Sequence, residues 1–534
     1  VYLYGLLFNL IFVIINNQFC NMRNHFFLIF TMLFVSYSTI RSNASDYLPA
    51  DVMEPWCGGP AYYNKWANGP SNNPNFFPIT VWYQTPSSGY FYQQMGVNFQ
   101  TYWADPANTT ESHLTQLKQY SMSGITGYTD MYLNSVNKSI VKGWFHPVDE
   151  PDNATMTNPN DPTGPKIATP PANIIADYNT IVAKDATRPV FINLGQGAAI
   201  DSWYGRGDRT YQPQDYIEYG KGADVISFDV YPMNMTPWVS GVDAAWKKTF
   251  MDELSGNIWY VAKGVDNLRK ATDYKKPIWA FIECTNYNTD PACKLTPVET
   301  KAEVWMALIH GARGIGYFCH ILKPSIIQAG VLNNAAMKAE VTAINATIKA
   351  NAAILNTQTV SNGATVSTGS SVNPVDIMVK RHNGFTYIYA VSMRKGMPTA
   401  TFTLRDFSGT STVEVVGENR TITATNGVFQ DAFTNWGVHI YKVATYAPTS
   451  VAQIANENPL QVFVKKTADG AILNIENNQK LNKIEIFDMS GRKLYTKNIT
   501  GYSNKISINV KLPQLILIKA FTGSEVIVRK CITN

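Results

Sequence analysis

Between Phe77 and His320 the chain repeats one alternation eight times: a short apolar or β-branched run, turn residues, then a stretch of helical periodicity. The runs are "FPITVWYQ" (77–84), "GVNFQTYW" (96–103), "SGITGYTD" (123–130), "VKGWFHPVDE" (141–150), "RPVFINLG" (188–195), "DVISFDVYP" (224–232), "PIWAFIE" (277–283) and "GIGYFCH" (314–320). Among the helical stretches, "PANIIADYNTIVAKD" opens on Pro171, and "TPVETKAEVWMALIHGA" has Thr296 at the N-cap and Pro297 at the first helical position. Runs this apolar on both faces fit a parallel sheet covered by helices. Eight of them alternating with helices predict an α/β fold, a (β/α)8 TIM barrel. The competing doubly wound sheet requires a Gly-rich phosphate turn after the first strand, and "VWYQTPSSG" is not one.

The barrel is expected to span 46–357, closed by the helix "NNAAMKAEVTAINATIKANAAIL". From Val360 the pattern becomes alternating strands joined by Asn, Gly and Asp turns. A β-sandwich is expected over 358–445, a linker over 446–459 and a second small β-sandwich over 460–534. The first 45 residues read as a leader region. From Met22, Arg23 precedes an apolar run and then small residues, the order of a secretory signal, so Met22 is the expected start of translation. Each apolar run there is shorter than the ~20 residues needed to span a bilayer. No stable membrane span is expected in the mature protein.

The formal charge of +5 over 534 residues, without a dense Lys/Arg block, gives nucleic-acid binding little support. No metal-ligand spacing and no phosphate-binding glycine loop occurs, so neither a metal nor a cofactor is expected. Cys284 and Cys293 are close enough in sequence to close a short disulfide loop, or to be two buried thiols.

Chemistry in a (β/α)8 barrel sits at the carboxyl ends of the strands. Glu150 follows the fourth run and Glu283 ends the seventh. Two facing carboxyls, one protonated and one ionised, are what glycosidic bond cleavage needs. Eleven of the twelve tryptophans precede residue 306. Trp82, Trp103, Trp203 and Trp238 stand at or beyond strand ends, where aromatic faces can stack on sugars. Trp144, inside a strand, is expected in the core. Asn193, Gln196, Arg206 and Arg209, at and after the end of the fifth run, are candidate hydroxyl readers, or else satisfy their own loop. His320 ends the eighth run and can line the site. His146 is expected to be structural, and Asp152 to cap its loop.

With those positions in place, the chain resembles the retaining glycoside hydrolases of clan A, the 4/7 superfamily. "VDEPDN" is similar to the clan's Asn-Glu-Pro motif, and "FIECTN" to its strand-seven nucleophile segment. "SFDVYP", with Asp229 and Tyr231, looks like its strand-six segment, where an aromatic hydroxyl contacts the nucleophile. The resemblance implies Glu150 as general acid/base, Glu283 as nucleophile, Tyr231 as a contact of that nucleophile and a polysaccharide or oligosaccharide with β-linkages as substrate. Asp149 stands where the clan has Asn, which puts the sugar 2-hydroxyl contact in question. A non-catalytic surface glycan-binding protein and an inverting hydrolase remain as alternatives.

The last unit, with "KIEIFDMSGRKLY" and "LPQLILIKAFTGSEVIVRK", resembles the sorting domain of type IX secretion substrates, with "LPQL" replacing the usual glycine. That implies a secretion-machinery partner and a secreted or cell-surface location.

Overall fold

The computed structural model describes residues 46–534 apart from 56, 103–110, 154, 157–165, 204–207, 235–253, 288–294, 446–460 and, in the last unit, 468–469, 477–479, 489–491, 500–504, 511–514, 523–525 and 533–534. The leader region therefore lies outside the described residues.

Eight parallel strands close a barrel. They are β1 (Ile79–Trp82), β2 (Phe99–Tyr102), β3 (Ser123–Gly127), β4 (Val141–Phe145), β5 (Val190–Leu194), β6 (Val225–Asp229), β7 (Ile278–Glu283) and β8 (Gly314–Phe318). Each pairs with the next in sequence, and β8 returns to β1 through Ile79–Ile315. The helices that follow them are α1 (Gly89–Gln94), α2 (Glu111–Gln119), α3 (Asp130–Asn134), α4 (Pro171–Lys184), α5 (Pro213–Tyr219), α6 (Tyr260–Ala271), α7 (Pro297–Ile309) and α8 (Ala335–Ala350). Every strand run read from the sequence is a barrel strand in the expected ring position. Thr296 caps α7 in a capping box with Glu299, so the helix start read from "TPVE" is the observed one.

Strand alternation divides the barrel core in two. Ile192, Leu194, Ile226, Phe228, Ile278, Ala280 and Ile282 pack outward against the helices. Phe99, Ile125, Phe145, Phe191, Val225 and Trp279 form a separate buried cluster that fills the lumen. The rings fit because neighbouring strands supply glycines. A Cβ on Gly316 would stand 2.3 Å from Phe281, and one on Gly143 would stand 2.3 Å from Phe191. Following the same alternation upward, Asn193, Ser227, Asp229 and Glu283 come to the carboxyl end of the barrel.

The next eight strands are β9 (Ala364–Ser367), β10 (Val375–His382), β11 (Phe385–Ser392), β12 (Thr399–Leu404), β13 (Thr410–Val415), β14 (Arg420–Thr425), β15 (Val428–Ala432) and β16 (Val438–Ala444). They hydrogen-bond as one antiparallel sheet, in the order β9-β12-β15-β14-β13-β16-β11-β10. The cause is β16, which pairs with β11 along its length and also with Glu414 and Val415 of β13, so the ladder never breaks. Asn383-Gly384 and Asn426-Gly427 have positive φ at both positions, the requirement of two-residue hairpin turns. The sheet has its own core, including Phe402, Phe429 and Tyr441, and belongs to the same compact unit as the barrel. Trp305 of α7 stacks on Tyr389 of β11 at 5.5 Å.

The remaining compact unit, Pro448–Asn534, contains seven described strands in two antiparallel sheets, one of three strands and one of four. Leu473, Ile475, Ile484, Ile486, Ile508 and Ile518 fill the space between them, as a sandwich requires. Among the described residues no helix is long and apolar enough to cross a membrane.

Candidate active site

Three acids converge at the carboxyl end of the barrel. Asp149 and Glu150 follow β4, and Asp229 ends β6. Asn193, on β5 between them, donates its amide nitrogen to Asp149 Oδ1 at 3.2 Å and to Asp229 Oδ1 at 3.3 Å. Its amide oxygen accepts from the Ser227 hydroxyl at 2.9 Å, which fixes the orientation of the amide. Glu150 Oε2 accepts from the Asn153 side chain at 2.9 Å, and its charge acts on Asp229. Glu150 has φ 45°, in the left-handed region that a residue with a Cβ rarely occupies. Tyr83 after β1 (φ 44°) and Trp203 after β5 (φ 56°) share this strain, which is characteristic of binding and catalytic sites.

Burial, and then the charge of Glu150, push Asp149 up to about 8 and Asp229 well above the carboxylate range. Burial and the neighbouring acids make negative charge on Asp149 and Asp229 costly. Asp152 lies in the same turn but faces inward. Its oxygens accept from Gly195 N–H at 2.7 Å and the Tyr216 hydroxyl at 2.9 Å, so it holds the loop, as expected.

Glu283 is placed differently from an open carboxyl facing Glu150. It is 0% exposed, roofed by the segment after β6. Its Oε1 accepts from Met233 N–H at 2.7 Å, and its Oε2 from Asn234 N–H at 3.0 Å and the Asn234 amide at 2.7 Å. Glu303 of α7 is equally buried. Burial raises Glu283, and burial together with the Glu283 charge raises Glu303 well above the carboxylate range. Strand counting placed Glu283 on the right stave but could not show the chain that covers it. The Tyr287 hydroxyl lies in the electrostatic field of Glu283, Asp229 and Glu150 together.

Tyr231 packs on Tyr287 (5.3 Å) and Phe318 (5.1 Å), and burial and the charge of Asp229 raise its hydroxyl. Trp82 is half-buried at the top of the lumen, edge-on to Phe145 and Phe281, both at 5.3 Å. Trp203 is half-buried against Tyr216 at 4.6 Å. His320 is buried beside Phe318 and Tyr83, and burial lowers it to about 4, so it is neutral at pH 7. Gln196 is buried in the turn after β5. Arg209 is spent on a two-pronged pair with Asp215, both contacts at 2.6 Å, so it satisfies its own loop. Trp144 is core, its indole nitrogen donating to Asp185, and His146 is fixed between Val148 N–H and Ile174 O. Trp103, Trp238 and Arg206 lie outside the described residues. Sequence reasoning gave Asp229 no role of its own and missed Asn153, Asn234, Tyr287 and Glu303. Of these only Asp229, an acid ending an apolar run, had a readable signal.

Residues 470–532 match the family described as the secretion system C-terminal sorting domain. The chain is therefore exported, to the medium or the cell surface. No curated protein sequence matches it. Solved structures similar to it include an α-amylase from Anoxybacillus (10% identity, 70% of this chain and 99% of that one, TM-score 0.36). Others are a GH30 endoxylanase from Clostridium papyrosolvens (10%, 69% and 96%, 0.31) and α-galactosidase I from Mortierella vinacea (9%, 69% and 96%, 0.41).

Proposed function

We propose that this chain is a secreted glycoside hydrolase in which Glu150 is the general acid/base and Asp229 the partner carboxylate. The observation that carries the reading is the convergence of Glu150, Asp149 and Asp229 at the carboxyl end of a closed barrel, with Asn193 donating to both aspartates. The reading needs one carboxyl to protonate the glycosidic oxygen and the other, ionised, to attack the anomeric carbon or to activate water. Asn153 holds Glu150, and Asn193 holds Asp229. The half-buried Trp82 and Trp203 offer apolar faces suited to sugar rings.

A second reading keeps Glu283 as the nucleophile of a retaining mechanism on a β-linked glycan. Its position at the end of β7 and the common field at Tyr287 favour it. It requires the Met233 and Asn234 amides to let go of the carboxylate as substrate binds.

Screening the secreted protein on a polysaccharide panel, with product anomers read by NMR, tests both. Glu150→Gln and Asp229→Asn are each expected to lower kcat by about 10²–10⁴ under the first reading. Under the second, Asp229→Asn is mild, and azide rescues Glu283→Ala with an inverted product. Full activity in Glu150→Gln refutes both, and leaves a glycan-binding protein if oligosaccharides still bind.

A further inference from the structure

The sequence offered Cys284 one partner, Cys293. The fold offers another. Glu283 of β7 pairs with Phe318 of β8, so the next residues, Cys284 and Cys319, leave adjacent staves side by side. Their sulfurs are 3.6 Å apart, in van der Waals contact, and both residues are buried, at 0% and 1% exposure. Adjacent strands lie about 4.8 Å apart, inside the Cα separation of about 4.4–6.8 Å that a disulfide tolerates. Among the described residues the Cys284 thiol has the Phe318 carbonyl, at 3.2 Å, as a further partner. The sorting domain sends the chain out of the reducing interior, into compartments where such thiols become oxidised.

We propose that Cys284 and Cys319 form a disulfide in the exported protein, clasping β7 to β8 at the barrel mouth. Either thiolate attacks a sulfur of a protein or small-molecule disulfide, giving a mixed disulfide and one released thiolate. The second cysteine thiolate then displaces the remaining sulfur. One disulfide is reduced to two thiols as one is formed, so two electrons pass to the acceptor disulfide. Because both sulfurs are enclosed by the helical layer, the exchange takes place before that layer packs, during folding after export. The bond fixes the strand ends that carry Glu283 and His320.

The test is peptide mapping of the full chain recovered from the medium or cell surface. The protein is alkylated in denaturant without reductant and digested with trypsin and an Asp-specific protease. Cleavage before Asp290 separates Cys284 from Cys293, and Lys294, Lys301 and Arg313 separate both from Cys319. The expected product is the Cys284 peptide joined to the Cys319 peptide, about 2 Da lighter than the sum of the two. In Cys319→Ser, Cys284 becomes alkylatable. Cys284 and Cys319 both labelled in the wild type, or Cys284 joined to Cys293, overturns the proposal. The wild-type map decides even where the serine variant is not exported.

Discussion

Asp149 is the residue on which the behaviour of the mouth turns. Its carboxyl is raised by burial and by Glu150, and its own charge raises Asp229 in return. Asp149→Asn removes one charge, so the remaining acid loses its proton at lower pH. The basic limb of the kcat/KM profile is expected to move down, measurable on any substrate the panel identifies. The same exchange has a sign for stability. A carboxyl whose pKa is higher folded than unfolded binds more protons in the native state, so stability falls as pH rises from about 4 through about 8. Asp149→Asn is therefore expected to stabilise the fold by about 0.5–2 kcal/mol, more at pH 8 than at pH 5, read from urea midpoints at the two pH values. Gly195 is a second sensitive position. A Cβ there would stand 2.0 Å from the Asn153 side-chain nitrogen, the donor that holds Glu150. Gly195→Ala is expected to cost about 1–3 kcal/mol by overpacking and to reduce turnover with little change in KM.

The barrel lumen is a packed element, not a channel. Trp279, Phe281 and Phe191 each lean into the space left by a glycine on the neighbouring strand. Gly316→Val would drive two methyl groups into the Phe281 ring and is expected to lower stability by at least about 1–3 kcal/mol. Thermal or urea unfolding of the purified variant measures it, and a wild-type midpoint would show that the ring can move aside. The segment after β6 has a comparable dependence. Its Met233 and Asn234 amides close on Glu283, and the Glu283 charge raises the neighbouring Glu303.

Barrel and sheet act as one molecule through buried polar joints. Asp51, from the segment preceding the barrel, has no exposed side-chain area and pairs at 3.0 Å with Arg381 of β10, which is equally enclosed. Breaking such a pair leaves an uncompensated buried charge, so Asp51→Ala is expected to cost about 3–5 kcal/mol in urea unfolding. His310, just beyond α7, bridges Asp266 of α6 at 2.9 Å and Asp376 of β10 at 3.1 Å. Burial alone would lower it, but the two carboxylates outweigh burial and push it up to about 9. A raised histidine contributes stability that is complete below its unfolded value near 6.5 and lost as pH rises through about 9. His310→Gln should flatten that alkaline loss. At lower pH it should cost about 1–2 kcal/mol, discounted because both carboxylates reach solvent.

The strands, their number and their ring positions were legible because burial on both faces writes itself as apolar runs, and turns write themselves as Gly, Asn and Pro. The place of Glu150 just after β4, the capped start of α7 and the structural roles of Trp144, His146 and Asp152 followed from position along those runs. What the chain order does not contain is which side chain a loop will cover, or which neighbour lies across a strand gap. Glu283 met two backbone amides, Asp229 met Asn193, and Cys284 met Cys319. Each of those outcomes depends on closing the ring, because contacts between residues far apart in sequence exist only once the staves stand side by side.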